Sequence, residues 1–186
     1  MLPYTNFNNN VYFLLGKSRR NGRLVTFSGK NSEFDNSQID TAAREFFEET
    51  LGSIMDRSNM LSLLTRCTTM IASRTPRGQP CYTYAVEIPF RKHYVMCFSK
   101  TRAFLEAIQM RGPEYLEMCD MKWVCARSMM TKIRKQWEKV GTLNSQQEWA
   151  KIEALCRVTN CNAVPWRLTD IPDTDDDELE VRCGTI

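Results

Sequence analysis

Gly29-Lys-Asn-Ser-Glu-Phe-Asp-Asn-Ser-Gln-Ile-Asp-Thr-Ala-Ala-Arg44-Glu-Phe-Phe-Glu-Glu-Thr-Leu-Gly52 is the stretch from which the rest of this 186-residue chain can be read. Its second half predicts a helix over Thr41 to Leu51. Asp40 or Thr41 can cap it, Ala42 and Ala43 favour it, and Gly52 can stop it. Phe46, Phe47 and Thr50 give it an apolar side. Glu45, Glu48 and Glu49 stand at i, i+3 and i+4, so their carboxylates share a face. Like charges at that spacing repel, and a hard divalent cation relieves the repulsion because it prefers carboxylate oxygens. The cluster therefore makes sense with Mg²⁺ or Mn²⁺ on it, and Arg44 can pair with one carboxylate. The competing reading is that paired glutamates on a helix are a solvated face. The company tips the balance: a glycine-lysine turn upstream, an acidic linker, then Arg-Glu-apolar-x-Glu-Glu.

Outward from this segment, strands and helices alternate irregularly. Val11–Leu15 is a short apolar run that predicts a buried strand. The basic, turn-rich loop Gly16–Gly22 follows, with Asn-Gly as a hairpin signal, then a second strand over Arg23–Phe27. The polar stretch from Ser28 to Asp40 is read as loop. Arg66–Ser73 and Pro80–Phe90 read as paired strands around Arg74–Gln79. Lys100–Met110 reads as helix, Met121–Cys125 as strand, and Ser128–Trp137 and Gln146–Cys156 as amphipathic helices. The fold class is therefore mixed α/β (α+β), a sandwich, with one domain over 1–168 and an acidic flexible tail over 169–186.

Composition narrows the classes. Hydrophobic residues make up 42% and charged residues 25% of the chain, which argues against wholesale disorder or a coiled coil. No apolar run reaches the roughly 18–20 residues of a membrane span. Eight cysteines show no Cys-x-x-Cys pair and His93 is the sole histidine, so structural zinc is not expected. The expectation is buried, reduced thiols in an intracellular, cytoplasmic protein, with the nucleus as alternative. The net charge of +3 hides an asymmetry: residues 170–186 carry −6 and residues 1–169 carry +9. A basic body suits a polyanion such as a polyphosphate or RNA, against the alternative of lysines and arginines that merely solvate the surface.

The segment resembles the Nudix hydrolase signature, which runs glycine, five residues, glutamate, seven residues, then Arg-Glu-apolar-x-Glu-Glu-x-Gly. Arg44-Glu45-Phe46-Phe47-Glu48-Glu49 matches in full, and Gly29-Lys30 resembles the family's glycine turn. Fourteen residues separate Gly29 from Arg44, one more than the pattern has. The first glutamate falls at Asp35, with Glu33 as competitor, and the last glycine comes one residue late, at Gly52. The first hairpin, the strand Cys81–Ile88 and the segment Glu117–Val124 are similar to later parts of the family, so the likeness covers about residues 8–140.

The resemblance implies a Nudix-like α/β/α sandwich with a mixed central sheet. It implies a Mg²⁺- or Mn²⁺-dependent pyrophosphohydrolase acting on a nucleoside diphosphate linked to another group, the 5′ cap of mRNA being one such substrate. The alternatives are a diphosphoinositol polyphosphate, a dinucleoside polyphosphate, or a non-catalytic nucleotide- or RNA-binding module. Carried over, Arg44, Glu45, Glu48 and Glu49 are catalytic, and the metal ligands are Glu45, Glu48, Glu49 and the Gly29 carbonyl. Lys30 would meet a phosphate, and Lys17, Arg19, Arg20 and Arg23, with Arg74 and Arg77, would line a polyanion route. The general base is left open between Glu45 and a later acid, Glu114, Glu117 or Asp120. Phe34, Tyr82, Tyr84 and Trp123 are candidates to stack a base, although at least two of the last three are expected in the core. The expected partners are a nucleotide or capped RNA and no membrane, and oligomeric state is left open.

Overall fold

Val11, Phe13, Leu14 and Leu15 are all buried because their strand, β2 (Asn10–Ser18), has a core on each face. Successive side chains on a strand point to opposite faces. Leu14 accordingly joins Phe27, Phe46, Met60 and Phe98. Val11, Phe13 and Leu15 join Ile133, Trp137, Trp149 and Ile152 on the other side. The computed structural model describes residues 1–67, 69–75, 77–109, 113–140 and 146–157.

The sheet has six strands. β1 (Leu2–Phe7) pairs antiparallel with β2 and parallel with β5 (Pro80–Glu87). β3 (Leu24–Val25) returns along β2, and β4 (Thr69–Arg74) runs antiparallel to β5. β6 (Met118–Cys125) also pairs with β2. Tyr12 is opposite Thr5 on β1 and Cys125 on β6, so these two strands flank β2. α1 (Gln38–Glu49), α2 (Arg57–Thr65) and α3 (His93–Ala107) serve one core. The other is covered by a helical turn α4 (Ala126–Ser128), a π-helical turn (Met129–Ile133), α5 (Arg134–Val140) and α6 (Gln146–Arg157). The result is an α+β sandwich with a mixed open sheet between two layers of helices.

Several elements differ from the sequence reading. α1 starts at Gln38 because the cap is Ser37, whose Oγ accepts from the Asp40 N–H at 3.1 Å. It ends on two left-handed residues, Leu51 (φ 56°) and Gly52 (φ 63°). β1 and α2 were not expected. The strand expected over Arg23–Phe27 is paired only at Leu24 and Val25, and α3 begins seven residues before Lys100. The six described cysteines are half-buried rather than fully buried. The end of the domain at 168 and the tail over 169–186 lie outside the described residues. No described helix is long and apolar enough to cross a membrane.

Antiparallel pairing brings the start of β1, the end of β2 and the start of β6 to one end of the sheet. The parallel β1–β5 pairing sets Leu2 against Ala85, five residues into β5, so the β4–β5 turn extends past this same end. The basic loop after β2, the glycine turn after β3 and the acids before β6 thus converge there.

Candidate functional site

Arg44 organises the site. Its guanidinium grips Asp35 through two nitrogens, Nε to Oδ1 at 3.0 Å and Nη2 to Oδ2 at 2.9 Å. Nη1 meets Glu48 and Nη2 meets Glu45, each at 2.9 Å. Nη2 also donates to the Lys30 carbonyl at 2.8 Å, which ties the glycine turn to the helix. The repulsion expected among the helix carboxylates is thus relieved at Glu45 and Glu48 by an internal cation.

Asp35 is the acid that belongs to this assembly, and Glu33 is exposed. The Asp35 side chain has no solvent exposure and accepts from the Ser32 N–H at 2.9 Å. Arg44's hydrogen bonds, then Ser32's, hold its carboxyl down to about 2. A second arginine, Arg57 at the start of α2, reaches Asp40 at 2.7 Å and Asp35 at 3.6 Å. Nothing in the sequence signalled Arg57, since α2 itself was not expected.

Glu49 lies on the inner side of the same helix face. It is 3% exposed and accepts a 2.6 Å hydrogen bond from the Ser28 N–H. Burial pushes its carboxyl up to about 8, against the opposing pull of the buried Met1 ammonium and the Ser28 N–H. That ammonium donates to the Phe27 carbonyl and is itself lowered to about 6 by burial. Burial likewise raises Glu45, with Arg44 opposing. Glu117 adds its negative charge to both Glu45 and Glu49, so this expected loop acid faces the helix carboxylates. Asp120 is turned elsewhere, accepting from the Met121 N–H at 2.9 Å and lying 3.8 Å from Lys122. The side chain of Glu114 lies outside the described residues.

Gly29 lies directly against the end of the Glu45 side chain. A Cβ built there would fall 1.9–2.0 Å from the Glu45 carboxylate atoms. Backbone therefore approaches a carboxylate as closely as only glycine permits. The basic loop is joined to the site through Arg19, whose N–H donates to the Glu117 carbonyl at 2.8 Å. Arg19, Arg20 and Arg23 are exposed and Lys17 is half-buried, opposite Asp120 in the β2–β6 register. Lys30 is exposed. Arg74 reaches back to the Gly78 carbonyl at 2.8 Å, holding the turn that carries the exposed Arg77. Tyr84 and Trp123 are buried in the core, and Trp123 donates to the Arg91 carbonyl. Tyr82 and Phe34 are exposed.

The donors suit a hard cation: all are oxygens, one carboxylate is buried with its acidity suppressed, and the Gly29 backbone lies against the Glu45 carboxylate. They do not form a ready-made cluster. Among the described residues no three His, Cys, Asp or Glu side chains converge as a metal group. Glu45 and Glu48 are turned toward Arg44 and Glu49 toward Ser28. No protein-family model matches the chain, and no curated protein matches it.

Glu49 dictates a pH dependence. An ordinary glutamate ionises near 4.5, and this one, when folded, near 8. Between those values the folded chain keeps a proton that the unfolded chain has released, so stability falls as pH rises. Glu45 acts with the same sign. Met1 acts oppositely only between about 6 and 8.0, and Asp35 only below 3.8. From pH 4.5 to 6, the metal-free protein should lose about 1–2 kcal/mol of unfolding free energy in urea titrations. Glu49→Gln should flatten that slope; an unchanged slope would mean that Glu49 is ionised in the folded chain.

Proposed function

We propose that the chain is a Mg²⁺- or Mn²⁺-dependent pyrophosphohydrolase of the Nudix type. It would cleave a phosphoanhydride in a nucleoside diphosphate linked to a second group, and the basic loops around the site favour the 5′ cap of mRNA within that class. The observation that carries this reading is the pairing of a buried, proton-retaining Glu49 with a Gly29 backbone pressed against Glu45, on a helix face shared with Glu48.

In this reading Glu45, Glu48, Glu49 and the Gly29 carbonyl would hold the cation. When bound, Mg²⁺ or Mn²⁺ supplies Lewis acidity toward the diphosphate and a more acidic water. Arg44, now paired with Asp35, Glu45 and Glu48, would have to give up the last two to the cation while keeping Asp35, and so would remain in the site as positive charge. Lys17, Arg19, Arg20 and Lys30 offer charge to the phosphates. Glu117 and Glu45 are the acids whose carboxylate oxygens can take a proton from water.

The occupation of Glu45 and Glu48 by Arg44 favours one other reading, a nucleotide- or RNA-binding module without turnover. A substrate panel separates the two. It comprises m7G-capped RNA, dinucleoside polyphosphates, nucleoside diphosphate sugars and diphosphoinositol polyphosphates, incubated with Mg²⁺ or Mn²⁺ and read by product mass. The hydrolase should give products that disappear on chelation. Tight binding with no product under any divalent ion would leave the module standing instead. Gly29→Ala should weaken Mn²⁺ binding about tenfold or more, because Glu45 must swing away, while changing stability by less than about 1 kcal/mol. Titration with Mn²⁺ by electron paramagnetic resonance reads the first quantity and urea melting the second. Unaltered Mn²⁺ affinity would remove Glu45 from the ligand set.

A further inference from the structure

We propose that Phe34 is the platform on which the aromatic base of the substrate stacks, so that the site selects base-bearing diphosphates over sugar or inositol diphosphates. This rests on the hydrolase reading above and deepens it to a substrate class.

Phe34 is 81% exposed, the most of any large hydrophobic among the described residues. The backbone beneath it is firmly held. Asp35 N–H donates to the Ser32 carbonyl at 3.0 Å, and Ser32 N–H donates back to Asp35 Oδ2 at 2.9 Å. The Phe34 N–H itself points to Ser32 Oγ at 3.4 Å. Asp35 is clamped to α1 by Arg44. A large apolar ring on a turn closed at both ends gains nothing from folding, yet its backbone is already ordered for contact. Stacking on such a ring carries little further entropic penalty.

Position supplies the second half of the argument. The guanidinium that holds Asp35, the residue after Phe34, also holds Glu45 and Glu48. One side chain therefore links the turn bearing the ring to the acids proposed to bind the cation. The other aromatic candidates do not compete at this loop: Tyr84 and Trp123 are core residues, and Tyr82 belongs to β5. Base stacking tolerates any base because each has a π-face, so the platform sets class rather than base identity.

The experiment compares Phe34→Ala and Phe34→Trp with wild type on a nucleoside diphosphate sugar and on a diphosphoinositol polyphosphate. Phe34→Ala should raise KM about tenfold or more for the base-bearing substrate, leaving kcat and the base-free substrate unchanged. Phe34→Trp should restore KM. A KM unchanged for the base-bearing substrate, or raised equally for both, overturns the proposal while the hydrolase reading stands. Binding of a methylene-bridged nucleotide analogue with Mn²⁺ tests the platform without turnover. If wild type hydrolyses nothing, the hydrolase reading fails. Weaker analogue binding by Phe34→Ala would still support the platform, and equal or absent binding would overturn it.

Discussion

Glu49→Gln should reduce metal-dependent hydrolysis on the order of a thousandfold while raising the stability of the metal-free protein. The two effects have one origin. Glu49 is buried, and desolvation penalises its ionised form. Glutamine keeps an oxygen to accept the Ser28 N–H and is neutral in both states, so burying it requires no proton uptake. The expected gain is about 1 kcal/mol near pH 7, or roughly 2–4 °C in Tm for a chain of this size. On the proposed hydrolase reading, catalysis needs the charge that folding resists, so the variant should be firmer and inactive. Melting without added metal, beside turnover with Mn²⁺, reads both. Retained turnover would strike Glu49 from the ligands, and a drop in Tm would show that its carboxylate supports the fold.

Asp35→Ala should cause the largest loss of stability. Asp35 is sealed from solvent, doubly bonded to Arg44 and accepting from Ser32. Removing one member of a buried ion pair leaves its partner under-compensated, at about 3 kcal/mol. Arg44 would retain Glu45, Glu48 and the Lys30 carbonyl, but the turn carrying Phe34 would lose its clasp. Guanidinium denaturation measures the change. A loss below about 1 kcal/mol would mean that Arg57 and Arg44 are satisfied without Asp35. The equivalent change at Glu33, which is exposed, should leave stability within about 0.5 kcal/mol.

What was readable in the sequence is what periodicity and caps encode locally. Three glutamates at helical spacing share α1 because the periodicity that makes that helix is written in its own residues. β2 was readable because a run of apolar residues with aromatics has few other fates. β1 was not, since Leu2 to Phe7 look polar on average and become a strand only by lying between β2 and β5. α2 was missed because its apolar residues do not line one face sharply, and tertiary contact with α1 supplies the missing order. Polarity hid part of the rest: the stretch from Asn31 to Ser37 offered Asp35 and Glu33 as candidate acids, but nothing in it marked Asp35 as the anchor of Arg44 or Ser37 as the cap of α1. The choice between Asp35 and Glu33 turned on a contact nine residues away, which spacing alone does not resolve.

The Leu24 carbonyl accepts side-chain bonds from both Trp137 (2.9 Å) and Gln136 (3.3 Å). Five residues on from Leu24 comes Gly29. So short a tether has little slack, and it spans from the rear helical layer to the glycine cradle. A disturbance lodged around Trp137, in the opposite helical layer from α1, would thus be felt at the front as a misplaced Glu45.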